Sequence, residues 1–162
     1  MSEISFPLAS WKRRALAWVL DAIIVTIPSS LVITLIGIGN RQVEKVVNHK
    51  ATLSSTPPTL GNTILEALIW IAFFTIYSAL GDGSLRGQTL GKRWLGIATV
   101  NSNDGEPIGI IRGALRGFIS SLLISAGLLV GIINFLWPFW DPQMRTWHDM
   151  ITKSAVIQVR AS

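Results

Sequence analysis

Long apolar blocks alternate with shorter polar segments along this chain, and that alternation sets the first expectations. Apolar residues run from Ala15 to about Gly39, from about Asn62 to Leu80, and from about Ala114 to Trp140. The first two match the roughly 20 residues that a helix needs to cross a bilayer. Pro28 lies inside the first block, where its ring removes a backbone donor and is expected to kink the helix. The third block would make a helix of about 40 Å, longer than a hydrocarbon core of about 30 Å. It is either one tilted span or two short helices folded back near Gly127 or Gly131.

The polar segments read differently from one another. Asn40–Leu60 ends in SSTPPTL, which cannot continue a helix, and is expected to be a loop between spans. Gly81–Gly113 has more internal order. Thr89–Leu95 predicts a short helix ended by Gly96, IATV predicts a strand, and Asn103-Asp104-Gly105 predicts a turn. A helix begins at Gly109 and carries Arg112 and Arg116 one turn apart. The tail, 141–162, contains SAVIQV, which alternates as a strand does. An isolated strand is not stable, so residues 97–100 are expected to pair with 154–159.

Composition narrows the class. Charged residues make up 14% of the chain and mean hydropathy is +0.48, so the bilayer is the expected solvent. The absence of cysteine excludes disulfides, thiolate metal sites and a cysteine nucleophile. The net charge of +5 is expected to meet anionic lipid headgroups rather than nucleic acid, because the basic residues flank apolar blocks. Lys and Arg number three before the first block, three in the first loop, five from Gly81 to Arg116 and three in the tail. Placing both termini in the cytoplasm divides them eleven against three, which obeys the positive-inside tendency, requires an even number of crossings and so favours the folded-back form of the third block. Trp11, Trp94, Trp137, Trp140 and Trp147 near block ends suit an interfacial belt. The expected fold is an all-α integral membrane protein, a single domain with a helical transmembrane bundle and a cytoplasmic two-strand element.

The charges inside this apolar frame carry the candidate chemistry. Arg14, Ala17 and Asp21 share one helix face. Asp21 lies about 10 Å along the axis from Arg14, so it needs a partner from another segment, and Arg112 and Arg116 are the first candidates. A carboxylate inside an apolar span is costly, and such acids serve ions or protons, or lock a fold. GQTLGKRWLGI resembles a phosphate loop but fails its spacing: Gly87 and Gly91 enclose one residue too few, and Arg93 replaces the hydroxyl residue. Its glycines are expected to shape a tight connection, with Lys92 and Arg93 meeting lipid phosphate. Near the tail, His148 beside Asp149 reads as a hydrogen-bonded surface pair or a proton relay, with Asp141 and Arg145 nearby. His49 and His148 fit no metal-ligand spacing, and no nucleophile motif is evident, so neither an enzyme, a metal site nor a cofactor is expected.

Together these stretches resemble the RDD family of small bacterial multi-pass membrane proteins. Arg14 and Asp21 match its first-helix arginine and aspartate. Gly87, Gln88, Thr89, Gly91, Lys92, Arg93 and Gly96 match its loop motif, and RTWHD matches its ending, with Asp149 or Asp141 as the second aspartate. Met150-Ile151-Thr152-Lys153 departs from the L-A-G-T that commonly follows. The resemblance implies a bacterial inner-membrane protein, with transport of unidentified ligands or sodium/proton exchange as suggested activities. Two functions stay open: transport of Na+, H+ or a small solute, with Asp21 in the site and the chain self-associating, or a non-transporting adaptor in which the Arg and Asp residues are a structural lock.

Overall fold

The computed structural model describes residues 7–38, 41–47, 50–56 and 58–159; Asn40, His49 and Arg160 lie outside them. In chain order its elements are α1 (Trp11–Leu35), β1 (Arg41–Val47), β2 (Lys50–Thr56), α2 (Leu60–Gly81), α3 (Leu90–Trp94), β3 (Ile97–Asn101), α4 (Gly109–Ser125), α5 (Leu128–Leu136), α6 (Trp147–Ile151) and β4 (Ser154–Gln158).

α1 and α2 are both long and apolar enough to cross a membrane, and only 22% of the apolar window of each is buried within the protein. Leu16, Val19, Ile23, Ile27 and Leu31 form an exposed apolar stripe on α1 at helical spacing. A soluble core helix would bury that stripe; lipid satisfies it. The inner stripe is Ala17, Asp21, Val25 and Ser29, spaced four residues apart and buried. α1 runs through Pro28 as one helix.

α2 packs tightly on α4 because α4 carries glycine at 113 and 117, four residues apart, where the two backbones meet. Small residues at that spacing let helix backbones approach within a bilayer. A Cβ added at Gly117 would stand 3.0 Å from the Phe74 carbonyl oxygen. The third apolar block is two helices, broken at Gly127, whose φ of +146° suits glycine. α5 doubles back beside α4. Asn134 of α5 bonds to the Trp147 N–H while Arg116 of α4 bonds to Asp149, two residues away on α6. α5 also meets α1, where the Trp11 indole N–H donates to the Phe135 carbonyl at 3.0 Å.

At one end of these helices sits a small cap. β3 pairs with β4 antiparallel, Ile97 opposite Gln158 and Asn101 opposite Ser154. The segment before α1 adds to this sheet through a bridge between Leu8 and Ile157 and the Ala9 N–H to Val156 carbonyl bond at 2.9 Å. Ala9, Ala17, Ile97 and Val156 form the buried apolar cluster beneath. Residues 7–10, the segment after α2 and β4 therefore all meet at the same end of α1 and α2.

One expectation is corrected. Within the segment expected to be a loop, residues 41–47 and 50–56 are strands: β1 and β2 pair antiparallel, Arg41 opposite Thr56 through Val47 opposite Lys50. The valines at 43, 46 and 47 and the threonines at 52 and 56 favour extended backbone, a signal obscured by the charged residues between them. The tryptophans divide as well. Trp94 and Trp140 are exposed, whereas Trp11 packs on Phe135 and Phe139, and Trp137 on Trp147.

Candidate functional site

The charged residues converge where the cap meets the helices. Asp21, buried on α1, takes three hydrogen bonds: the Tyr77 hydroxyl at 2.6 Å, the Thr89 hydroxyl at 2.6 Å and the Gly91 N–H at 2.8 Å. Tyr77 in turn accepts the Leu90 N–H at 3.0 Å. The carboxylate thus ties α1 to α2 and to the first turn of α3. Gly91 is required there, since an added Cβ would lie 2.8 Å from Asp21 Oδ1. Asp21 meets neither Arg112 nor Arg116, correcting the expected pairing. The donors come from the polar segment that the GQTLGKR motif builds, which folds under α1.

The arginines serve a second cluster, a chain of alternating charge. Arg14 bonds to the Asp149 carboxylate and the Met144 carbonyl. Arg116 bridges Asp149, with Nε at 3.0 Å and Nη2 at 2.6 Å, to Asp82, with Nη1 at 2.6 Å. Lys92 pairs with the other oxygen of Asp82. The Thr99 hydroxyl accepts from Lys92 at 2.9 Å and from Arg116 at 2.8 Å, and donates to Asp82 at 3.2 Å. Asp149 is fully buried, and it also accepts the Thr146 N–H at 3.1 Å, capping α6. Three cations and, with Asp21, three carboxylates therefore share one site. Buried charges persist only when paired and hydrogen-bonded, and these are.

Burial pushes the Asp82 carboxyl up, but Lys92 and Arg116 outweigh it and hold it below the usual range. Burial likewise works against the Asp149 anion, yet Arg116 and Arg14 hold its carboxyl well below normal. Burial, helped by the charge of Arg116, pushes Lys92 down to about 8 despite the attraction of Asp82. Lys92 is therefore a partly buried network member, not the expected lipid-phosphate contact; only Arg93 of that pair is exposed. The rest of the motif docks the segment. The Gly87 carbonyl, with φ of +60°, accepts the Thr99 N–H at 2.7 Å, and the Gln88 amide donates to the Ile97 carbonyl at 3.0 Å. The Gly96 carbonyl, also at positive φ, accepts the Val159 N–H at 2.9 Å.

His148 and Asp149 are not a surface pair, because both are buried beneath the fold-back of α5. Asn134 Oδ1 accepts the Trp147 N–H at 3.0 Å, so its amide nitrogen faces His148 Nδ1, at 3.4 Å. That leaves His148 Nε2 to donate to Thr146 Oγ1 at 2.9 Å. Both ring nitrogens are thereby engaged in the neutral form, and burial pushes the imidazole down to about 3. An unfolded histidine takes its proton near 6.5, so between about 6.5 and 3 the unfolded chain binds more protons than the folded one. The contribution of His148 is fully present above pH 6.5 and declines as pH falls. Denaturation from pH 7 to 4.5 is expected to show a slope approaching about 1.4 kcal/mol per pH unit. His148→Gln should flatten that slope; an unchanged slope would rule His148 out as its source. Asp82 and Asp149 titrate below this window.

Asp141 stands apart. It holds Arg145 through two contacts of 3.0 Å and caps its own loop through the Arg145 N–H at 2.8 Å. Of the two candidate aspartates, Asp149 is the one in the network. Arg112 donates to the Thr152 carbonyl at 3.1 Å and so secures the end of α6. Sequence reasoning missed Asp82, Tyr77, Thr99 and Asn134. Asp82 carried a signal, since an acid between two glycines closes the second apolar block. Tyr77, the only tyrosine in the chain, lies just over a turn before it.

Above this floor lies a cavity of about 570 Å³ between α1, α2, α4 and α5. Arg14, Asp21, Lys92 and Arg116 line its polar end, and Trp18, Phe74, Ile124, Ile132 and Phe135 its apolar walls. Among the described residues, no three His, Asp or Glu side chains are grouped to hold a metal ion.

No curated protein and no solved structure matches the chain. The model of the RDD family matches residues 8–153, a stretch that contains α1, the whole charge network and the loop motif. The chain, with two helices able to cross a membrane, belongs to the RDD family of membrane-associated proteins.

Proposed function

We propose that this chain is a non-enzymatic, multi-pass protein of a bacterial inner membrane that admits a small solute or ion to the cavity between its helices. The cap, with both termini and most of the basic residues, faces the cytoplasm in this reading, and homo-oligomers form the working unit. The cavity carries the proposal. Its volume lies in the range of ligand sites, its walls are apolar, and its polar groups are gathered at one end. The Arg and Asp residues act as the fixed floor of the cavity and hold the cap under the helices. Asp21 then anchors α3 rather than carrying a cation, because three neutral donors already satisfy it.

The engagement of every network carboxylate by groups of the protein equally favours a second reading, a non-transporting adaptor built on the same lock. Reconstitution distinguishes them. In proteoliposomes under imposed sodium and pH gradients, the intact protein should give flux above protein-free vesicles. Val19→Trp places a ring at an exposed position on the cavity wall and should abolish that flux without loss of folding. Absence of flux from the intact protein under every gradient would favour the adaptor.

A further inference from the structure

The floor of the cavity is unbalanced in hydrogen-bonding capacity, although its charges cancel. The carboxylates are nearly filled. Asp21 accepts three bonds, Asp82 accepts from Lys92, Thr99, Ser78 and Arg116, and Asp149 accepts from Arg14, Arg116, Ser154 and the Thr146 N–H. The cations are not. A guanidinium carries five N–H donors and an ammonium three. Arg14 uses two of its five, in bonds to Met144 and Asp149. Arg116 uses four, and Lys92 two of its three. All three line the cavity, and the side chains of Arg14 and Lys92 keep 10% and 12% of their surface exposed. A ligand that meets this floor must bring acceptors, and a charged oxygen is the best of them.

The walls specify the rest of the ligand. From the floor the cavity continues past Trp18, Phe74 and Phe135, with no further charge among its lining residues. A shallow, open groove on the face of α1 shares Trp18 and Val19 with it and runs along Ala22, Ile23, Thr26 and Ile27. Val19 to Ile27 covers about 12 Å of α1, on its exposed apolar face and leading away from Arg14. Polar end beside the cap and apolar path along a spanning helix reproduce the arrangement of a lipid, with its head at the interface and its chain toward the midplane.

We propose that the cavity binds a single-chain amphiphile with an oxyanion head, a long-chain carboxylate or monoalkyl phosphate, placing its head against Arg14 and Lys92 and its chain beside Trp18 and Phe135. This rests on the cavity being a ligand site, but not on transport. The test uses the full chain in nanodiscs of zwitterionic phosphatidylcholine and a photoreactive palmitate. Labelling should saturate and map to α1 and α5. Palmitate and hexadecyl phosphate should displace the label at concentrations about tenfold below those of methyl palmitate, which has the same chain without the charge. Acetate and inorganic phosphate should not displace it. Val19→Trp should cut labelling about tenfold at an unchanged melting temperature.

Equal competition by methyl palmitate would overturn the head assignment while leaving the cavity as a ligand site. Equal competition by acetate or phosphate would show that the ligand needs no chain. Labelling that never saturates and spreads over the exposed faces of α1 and α2 would mean ordinary lipid contact, and would sink the proposal whatever flux is measured.

Discussion

Asp149→Ala is expected to lower stability by about 3–5 kcal/mol, the largest effect of any single substitution in the network. The residue is fully buried and bridges Arg14 to Arg116. Its removal leaves those two guanidiniums and Lys92 with Asp82 as their only directly paired carboxylate, an excess of positive charge in a largely buried site. It also removes the cap on the Thr146 N–H, loosening α6. Denaturant titration in detergent measures the loss. Because the cost is mainly that of the unpaired cations, adding Arg116→Met should restore part of it, although the double variant removes more interactions in total. A cycle of the two single variants and the double therefore gives a coupling that is large and opposite to additive loss. Additive losses, or a drop below about 1 kcal/mol for Asp149→Ala alone, would show that the ion pairs do not hold this fold.

Asp21→Ala is expected to act differently, by releasing α3. Truncation strands the Thr89 and Tyr77 hydroxyls and the Gly91 N–H together, and each buried donor left without a partner costs about 1–3 kcal/mol. Tyr77 is only half-buried and turns to find another partner, so the total should stay near 3 kcal/mol. The loss should also be local. Backbone amides of Leu90–Trp94 should exchange with solvent much faster, while those of α2 and α4 keep their protection, because the glycine-mediated contact between those helices does not involve Asp21. Uniform loss of protection across all helices would mean that Asp21 supports the whole bundle. Unchanged protection in α3 would mean that its docking rests on apolar contact alone.

The two effects separate because the charged residues form two devices, and this division was not legible along the chain. The period of α1 placed Arg14, Ala17 and Asp21 on one face, and the distance between Arg14 and Asp21 required a partner from elsewhere. Both conclusions hold. The partner itself was misassigned. Arg112 and Arg116 were attractive because opposite charges attract, yet Asp21 is satisfied by two hydroxyls and an amide N–H. A hydroxyl gives no charge signal in sequence, so nothing distinguished Thr89 or Tyr77 from other polar residues near a span end. Lys92 was misread for a related reason. A basic residue beside an apolar block usually meets lipid, and only folding brings Asp82 and Thr99 close enough to hold it inside.

What the sequence determined by itself is what depends on near neighbours and on repeating pattern. The two helices long and apolar enough to cross a membrane follow from runs of apolar residues. The short α3 follows from Thr89 and Gly96 at its ends, and the strands 97–101 and 154–158 from alternation and the need of each for a partner. Tertiary structure alone decided which charge meets which. It turned α5 back at Gly127, carried Asn134 to His148, buried His148 as a neutral ring and set Asp149 between two arginines. These contacts join residues 14 to 135 positions apart, and their strength comes from exclusion of water. Exclusion of water is a property of the assembled helices and cap, which no single stretch of the chain possesses.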